Sequence, residues 1–426
     1  MIAIVMLILE FLIMSFLNSI GRLESSNVLG CIMIIVFSFS YFMTIQRSKQ
    51  LSQFTGPLVI GYIWRLALLF FDLYGKSIYN LPNSGYDSEM YYRNAVAFVA
   101  TGDSGRGEMF SSVVGTIFSF IGTNRLYGQF VVMLTSVVSL CVLAQILCML
   151  DSIDEDVKYR TIGIIALLPN FAILSSIFLR ESLITMLITI SLYFFVQWLT
   201  GRNGLWFIGA FIMSFCAALF HSGSAAIAIG YIAARFLYDH KEKKIRMRLM
   251  NIVPVIFFVV VVAYLYINYA DTLFGKMNNI SSIADVGSIN AEGGSSYAAY
   301  VGNSSSVANM IIYTIPRMLY FLFSPFPWQW RGLGDIIAFL FSSLFYLSAI
   351  RNAFSSIKFQ NNNRNMIIIV LIIALCTAFV FSWGVTNTGT ATRHRDKMII
   401  LYGVLYALSH CGNKDRIITI GKLRVM

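Results

Sequence analysis

The chain has 426 residues, 58% of them hydrophobic and 12% charged, and a formal net charge of +11. Apolar runs long enough to cross a hydrocarbon layer of about 30 Å recur along it, which excludes a soluble globular enzyme and marks an all-α polytopic membrane protein. The positive balance does not point to nucleic acid, because the largest basic cluster, HKEKKIRMR at 240–248, directly follows an apolar segment, as cytoplasmic flanks do.

In chain order, apolar runs at about 1–21, 28–46, 56–75, 127–149, 158–179, 182–200, 205–220, 223–239, 250–270, 335–350, 366–383 and 396–411 predict about twelve transmembrane helices in a single integral membrane domain, 1–426. The first run carries Glu10 and no small-residue cleavage site, so it reads as a span rather than a removable signal. Glu10 and Arg65 are the clear charges inside spans, and pairing them would lock span one to span three. With both termini cytoplasmic, most of the 31 Lys and Arg fall in inside connections, as the positive-inside rule requires. Two apolar stretches stay outside that count. FSSVVGTIFSFIG (110–122) is short for a crossing, and NMIIYTIPRMLYFLFSPFPWQW (309–330) has Pro316 and Arg317 in its middle and a Pro/Trp cluster suited to an interface. Both read as outer-surface or re-entrant helices, since a crossing at 309–326 would push the basic loop 351–365 outside. Residues 76–126 are thus an outer loop with short helices, and 271–334 an outer loop with an interfacial helix. The segment 271–308, rich in Ser, Asn, Ala and Gly, reads as a mobile lid or as a plain spacer. The six cysteines lack paired CxxC spacing and read as small buried hydrophobes, not a metal or disulfide framework.

The chemistry-bearing residues concentrate in the outer segments. In YDSEMYYRNA, Asp87 and Glu89 stand at the start of a predicted short helix, either as its capping and first-turn acids or as proton acceptors. Arg180 and Glu181 fall at a tight turn between two apolar runs in SSIFLRESLITML, where an interfacial ion pair and a ligand-binding pair are the two readings. His221 in ALFHSGSAA occupies another such turn among small residues. In TNTGTATRHRDKMII, Arg393, His394, Arg395 and Lys397 gather positive charge on the side where the charge bias disfavours it. Arginine forks suit phosphate oxygens, so a phosphate or pyrophosphate is the natural ligand, with a lipid headgroup as the alternative. No His/Cys/carboxylate group has metal-ligand spacing, so no obligatory protein-bound metal or other cofactor is expected, with a divalent ion shared between Asp87, Glu89 and a diphosphate as the alternative.

The acidic residue in the first large outer loop, LRES and FHSG at the heads of two spans, RMLYFLFSPFPW (317–328) and the final TRHRDKMIILYG together resemble the polytopic O-antigen and capsular polysaccharide repeat-unit polymerases of bacteria. These sit within the wider type C (GT-C-like) glycosyltransferase class. The resemblance spans roughly 85–411 and implies a polysaccharide polymerase in the bacterial cytoplasmic (inner) membrane. Its donor would be an oligosaccharide linked to undecaprenyl diphosphate, used on the outer side. It places the Asp87 carboxylate near the acceptor hydroxyl, with His221 and Glu89 as further catalytic candidates. Arg180, Arg393 and Arg395 fall near phosphate, joined in the binding set by Glu181, His394 and Arg317. Membrane lipid, a chain-length regulator and a flippase are the implied partners. The first large outer loop follows span three here, whereas type C enzymes often have it after span one. A flippase of lipid-linked sugars, a single-sugar transferase and a ligase are the rival readings.

Overall fold

The computed structural model describes residues 28–104, 109–240, 242–246, 253, 296–301, 307–359 and 363–410. The expected spans at 1–21 and 250–270, Glu10, and nearly all of the expected lid 271–308 lie outside the described residues. What is described is helical apart from one small hairpin and an isolated bridge. Its residues gather into two compact units, one containing residues up to Gln145 together with Ile162–Met186, the other Ile146–Thr161 and everything from Leu187 onward.

Among the described residues, six helices are long and apolar enough to cross a membrane: α1 (Val28–Arg47), α2 (Thr55–Tyr74), α5 (Arg125–Cys148), α8 (Glu181–Leu199), α12 (Leu333–Lys358) and α13 (Arg364–Trp383). A seventh span forms if α6 (Glu155–Leu167) and α7 (Pro169–Ser176) are counted together across their 53° bend. These helices make the chain a polytopic membrane protein. Shorter apolar helices are α4 (Met109–Ile121), α9 (Leu205–Phe220), α10 (Ala226–Leu237), α11 (Val307–Phe323) and α15 (Ile399–His410). Two longer polar helices are α3 (Tyr86–Thr101) and α14 (Thr388–Asp396), and short helical turns occur at Lys49–Ser52 and Ala298–Val301.

Within the first unit, the bend between α6 and α7 has a local cause. Pro169 has no N–H to continue the ladder and its fixed φ suits the first turn of a new helix, so the chain breaks and restarts there. The break frees the Ala166 carbonyl, which Arg65 on α2 satisfies: Nη1 donates to Ala166 O at 2.7 Å and to Gly61 O at 3.0 Å, and Nε donates to Ser136 Oγ at 2.6 Å. Ser176 Oγ donates back to the Arg65 carbonyl at 3.0 Å. The fully buried guanidinium of Arg65 also lies 4.8 Å over the Phe171 ring. Backbone carbonyls and a serine hydroxyl thus hold this intramembrane charge, which is the general requirement for a charge at such a position. In the same unit, α3 and α4 pack closely at Gly115, where an added Cβ would fall 2.9 Å from the Ala95 carbonyl oxygen. The stretch 110–122 is therefore helical, as expected.

Within the second unit, α10 crosses α13 at Gly230, where a Cβ would lie 2.8 Å from Ile373 Cα. The Tyr231 hydroxyl receives Ser191 Oγ at 3.1 Å, and its ring stacks on Phe195 at 4.4 Å. After α10 the chain forms a two-stranded hairpin, β1 (Tyr238–Asp239) against β2 (Lys244–Ile245), with Arg246 and Asp239 paired at 2.8 Å. Part of the basic cluster expected as a flank is thus a folded turn. The core of this unit is the α10, α11, α12, α13 and α15 bundle, lined by buried residues such as Ala349, Ile373, Ala378 and Leu405.

Candidate functional site

In the first unit, helix α3 begins at Tyr86 with Gly85 as N-cap and no side-chain cap. Of the two readings of Asp87, the capping one is corrected: Asp87 is inside the first turn, where a carboxylate is favoured by the helix dipole rather than by a cap bond. Ser88 is fully buried, and its Oγ receives Arg125 Nη2 at 3.1 Å. Glu89 is clamped between two cations, accepting from Lys76 Nζ at 2.9 Å and from Arg125 Nη1 on its other oxygen. Burial pushes the Glu89 carboxyl up, but hydrogen bonds and charge from Lys76 and Arg125 outweigh it and hold the group below the usual carboxylate range. A carboxylate so held is a weak proton acceptor and a good anchor for a guanidinium.

This clamp has a measurable consequence. Because the folded pKa is depressed, Glu89 adds stability above the unfolded carboxylate value, and that contribution is lost as pH falls through the folded value. Melting temperatures recorded at descending pH in detergent should therefore drop more for the wild type than for Glu89→Gln, which starts lower and loses less. Parallel curves for the two proteins would show that the clamp contributes nothing.

Arg180 and Glu181 sit where the sequence puts them, in the short link from α7 to the first turn of α8. The Arg180 guanidinium lies 5.6 Å from the Tyr91 ring centre, and Glu181 is 2% exposed. Tyr91 belongs to an aromatic cluster in which Phe110 contacts both Tyr91 (5.3 Å) and Phe178 (5.8 Å). Nearby in this unit Gln129 Nε2 donates to the buried Asp72 at 2.9 Å, an acid that its apolar flank concealed in the sequence.

The second unit holds the other candidates. His221 closes α9 and opens a 3-10 turn at Ser222–Ala225, with extended backbone that suits such a junction. Its ring meets that of His394 edge to face at 4.4 Å, and both rings pack on Phe381 of α13, at 5.4 and 5.5 Å. Lys397 Nζ lies 6.0 Å from the same Phe381 ring. His394 and Arg393 come from α14, whose start is fixed by Asn387, the side chain of which accepts from Gly389 N and Thr390 N. Arg393, His394 and Arg395 occupy its last turn, where the helix dipole favours cations. Arg317 is 2% exposed, with its guanidinium carbon 4.4 Å above the Trp383 ring, a short cation–π distance.

Arg395 departs from the expectation of an open phosphate ligand. It is fully buried, and its Nη1 donates to Leu322 O at 3.0 Å and to Ser324 O, the carbonyls that end α11. Its own carbonyl receives the Tyr346 hydroxyl at 2.8 Å. One edge of this guanidinium is therefore committed to backbone. Its Nε and Nη2 have no hydrogen-bond partner among the described residues.

The residue that sequence reasoning missed is Asp396. It is 2% exposed at the end of α14, outside the apolar α15, and receives Ser342 Oγ at 3.3 Å. Burial pushes its carboxyl well above the ordinary range, against the lowering pull of Arg395 and of hydrogen bonds from Ser342 and Tyr346. The signal was present, since RHRDK embeds one acid in a run of cations. The surplus of positive charge drew attention away from it.

The structure thus brings His221, Arg317, His394 and Arg395 into one unit, with Arg393 half-buried on the same helix as His394, while Asp87, Glu89, Arg180 and Glu181 belong to the other. Among the described residues no group of three or more His, Cys, Asp or Glu is placed to hold a metal ion. Compared with known proteins, the chain matches no family model, no curated protein and no solved structure.

Proposed function

We propose that this protein is a membrane glycosyltransferase that polymerises oligosaccharide repeat units carried on a polyprenyl diphosphate, of the O-antigen or capsule type. It would work on the outer side of the bacterial cytoplasmic membrane, with about twelve spans in a GT-C-like arrangement and both termini cytoplasmic. The observation that carries this reading is the meeting of His221 with His394 in the same unit as the buried Arg317, within α11, and the buried Arg395, in the last turn of α14. Cations held in a low-dielectric setting suit a diphosphate better than they suit water.

In the reaction, the acceptor hydroxyl oxygen bonds to the anomeric carbon of the donor sugar. The bond from that carbon to the diphosphate oxygen breaks, and its electron pair leaves on the phosphate. The hydroxyl proton passes to a base. Arg317, Arg393 and His394 carry the charge that develops on phosphate, and Arg395 positions α14 against the end of α11. His221 is the candidate base of this unit; in the first unit Asp87 keeps only the acceptor role that the sequence resemblance implies, and Glu89, clamped and ionised, orients Arg125. In the first unit Arg180 and Glu181 keep the substrate-binding role that the sequence resemblance implies. The chain would act beside a flippase that delivers its donor and a regulator of product length.

The deciding experiment supplies purified protein with a synthetic undecaprenyl-diphosphate repeat unit and resolves the products by size. A ladder of products spaced by whole repeat units supports the proposal. Addition of single sugars moves the reading to a single-sugar transferase, transfer of finished polymer to another acceptor moves it to a ligase, and lipid-linked sugar crossing vesicles without growth moves it to a flippase.

A further inference from the structure

A run of aromatic rings begins beside the cations of the second unit and ends in the open. Tyr297 is fully buried, within electrostatic reach of both Arg317 and Arg395, and its hydroxyl donates to Val385 O at 3.1 Å. Its ring contacts Tyr320 at 5.2 Å; Tyr320 stacks on Tyr300 at 5.7 Å, with planes 8° apart. Tyr320 also meets Phe326 edge-on at 5.1 Å, and Phe326 stacks on Trp328 at 4.8 Å, with planes 7° apart. The far members are open to a ligand, Tyr300 at 59% and Trp328 at 65% exposure.

The rings are held in place, not loosely displayed. Phe326 N donates to Gln329 Oε1 at 2.8 Å, and Trp330 Nε1 donates to Pro325 O at 3.2 Å, which pins the turn that carries Phe326 and Trp328. A surface already ordered loses little conformational entropy on binding.

From this continuity we infer that Tyr300, Tyr320, Phe326 and Trp328 form a saccharide-binding platform, which takes the sugar residues adjoining a phosphate held by Arg317. The inference rests on the proposed transferase reading and adds the place where its glycan lies. Electron-rich ring faces attract the polarised C–H groups on the apolar face of a pyranose. A sugar phosphate also joins its two chemistries through one bond, so a phosphate beside Tyr297 puts the first sugars within reach of the next rings. A membrane-interface anchor would use the same residue types, but it requires neither parallel stacking nor a first ring within electrostatic reach of buried arginines.

The test uses full-length protein in lipid nanodiscs, screened against free bacterial oligosaccharides that carry neither lipid nor phosphate. Wild-type protein should bind at least one of them. Trp328→Ala and Trp328→Leu should each weaken that binding by about 10-fold or more, with Trp328→Phe nearer to wild type, because stacking and not apolar bulk makes the contact. Binding of undecaprenyl phosphate should be unchanged in all four proteins. The platform is overturned if no oligosaccharide binds the wild type, or if Trp328→Leu binds as well as wild type, which would make Trp328 a membrane anchor. Trp328-dependent glycan binding by a protein that fails to extend polymer would support the platform and overturn the polymerase reading, so the two failures are distinguishable.

Discussion

Replacing Arg317 by lysine is expected to lower transfer from a polyprenyl-diphosphate donor by about 100- to 1,000-fold, the loss typical when one preorganised donor is removed from a charge-stabilising site. The protein should still insert and fold. Lysine keeps the positive charge and can lay its ammonium over Trp383, so the packing of α11 on α13 has a substitute. It cannot offer the planar fork that meets two phosphate oxygens at once. In the folded chain the guanidinium carbon of Arg317 is 4.4 Å above the Trp383 ring, which fixes the plane of that fork before any ligand arrives. Loss of geometry at constant charge should therefore appear mainly in kcat, with donor affinity changed less. Arg393→Lys should show the same pattern with a smaller loss, because Arg393 is only half-buried and more screened by solvent. Initial rates on a defined lipid-diphosphate donor, measured beside thermal unfolding of the same preparations, separate the two effects. An Arg317→Lys protein that keeps more than half of wild-type activity would show that this arginine only anchors α11 to α13.

Of about twelve expected spans, six described helices, or seven with the bent pair, are long and apolar enough to cross. These were legible because a long apolar run has few alternatives to a helix in lipid. Val28–Arg47 and Arg364–Trp383 fall within two residues of the runs read at 28–46 and 366–383. The run at 158–179 concealed its break, since Leu168 and Pro169 do not interrupt apolarity, and the proline acts through a missing donor that hydropathy does not register. At the site, the positions of His221, Arg180 and Glu181 at helix junctions could be read, because polar residues that interrupt apolar runs mark turns. Their partners could not. Glu89 meets Arg125 across 36 residues, and Arg395 reaches Leu322 across 73, contacts that only tertiary packing decides. Charge in a sequence also reads as exposure, so the burial of Arg395 and Asp396 ran against the usual prior.

Arg395→Met is expected to destabilise the second unit by about 2–6 kcal/mol, the cost of leaving two buried carbonyls without their donor at about 1–3 kcal/mol each. Two consequences add together. The carbonyls of Leu322 and Ser324 at the end of α11 lose their donor, and the buried Asp396 loses the cation that lowers its pKa. The second consequence gives the loss a pH signature. Burial raises the Asp396 carboxyl, so the folded state keeps its proton to a higher pH than the unfolded chain does. Its contribution to stability is whole below the ordinary aspartate value of about 3.9 and is lost as pH rises through the raised folded value. Without Arg395 that folded value moves further up, so the loss continues into a range where the wild type has stopped changing. Melting temperature followed upward in pH should accordingly fall further for Arg395→Met than for wild type. Asp396→Asn, which imitates the neutral acid and still accepts from Ser342, should flatten the dependence and return part of the stability when combined with Arg395→Met. His394 and Lys397 are common to all these proteins, so their own titration cancels in the comparison. A double variant as unstable and as pH-dependent as Arg395→Met alone would mean that the two backbone carbonyls carry the whole cost and that Asp396 is not coupled to Arg395.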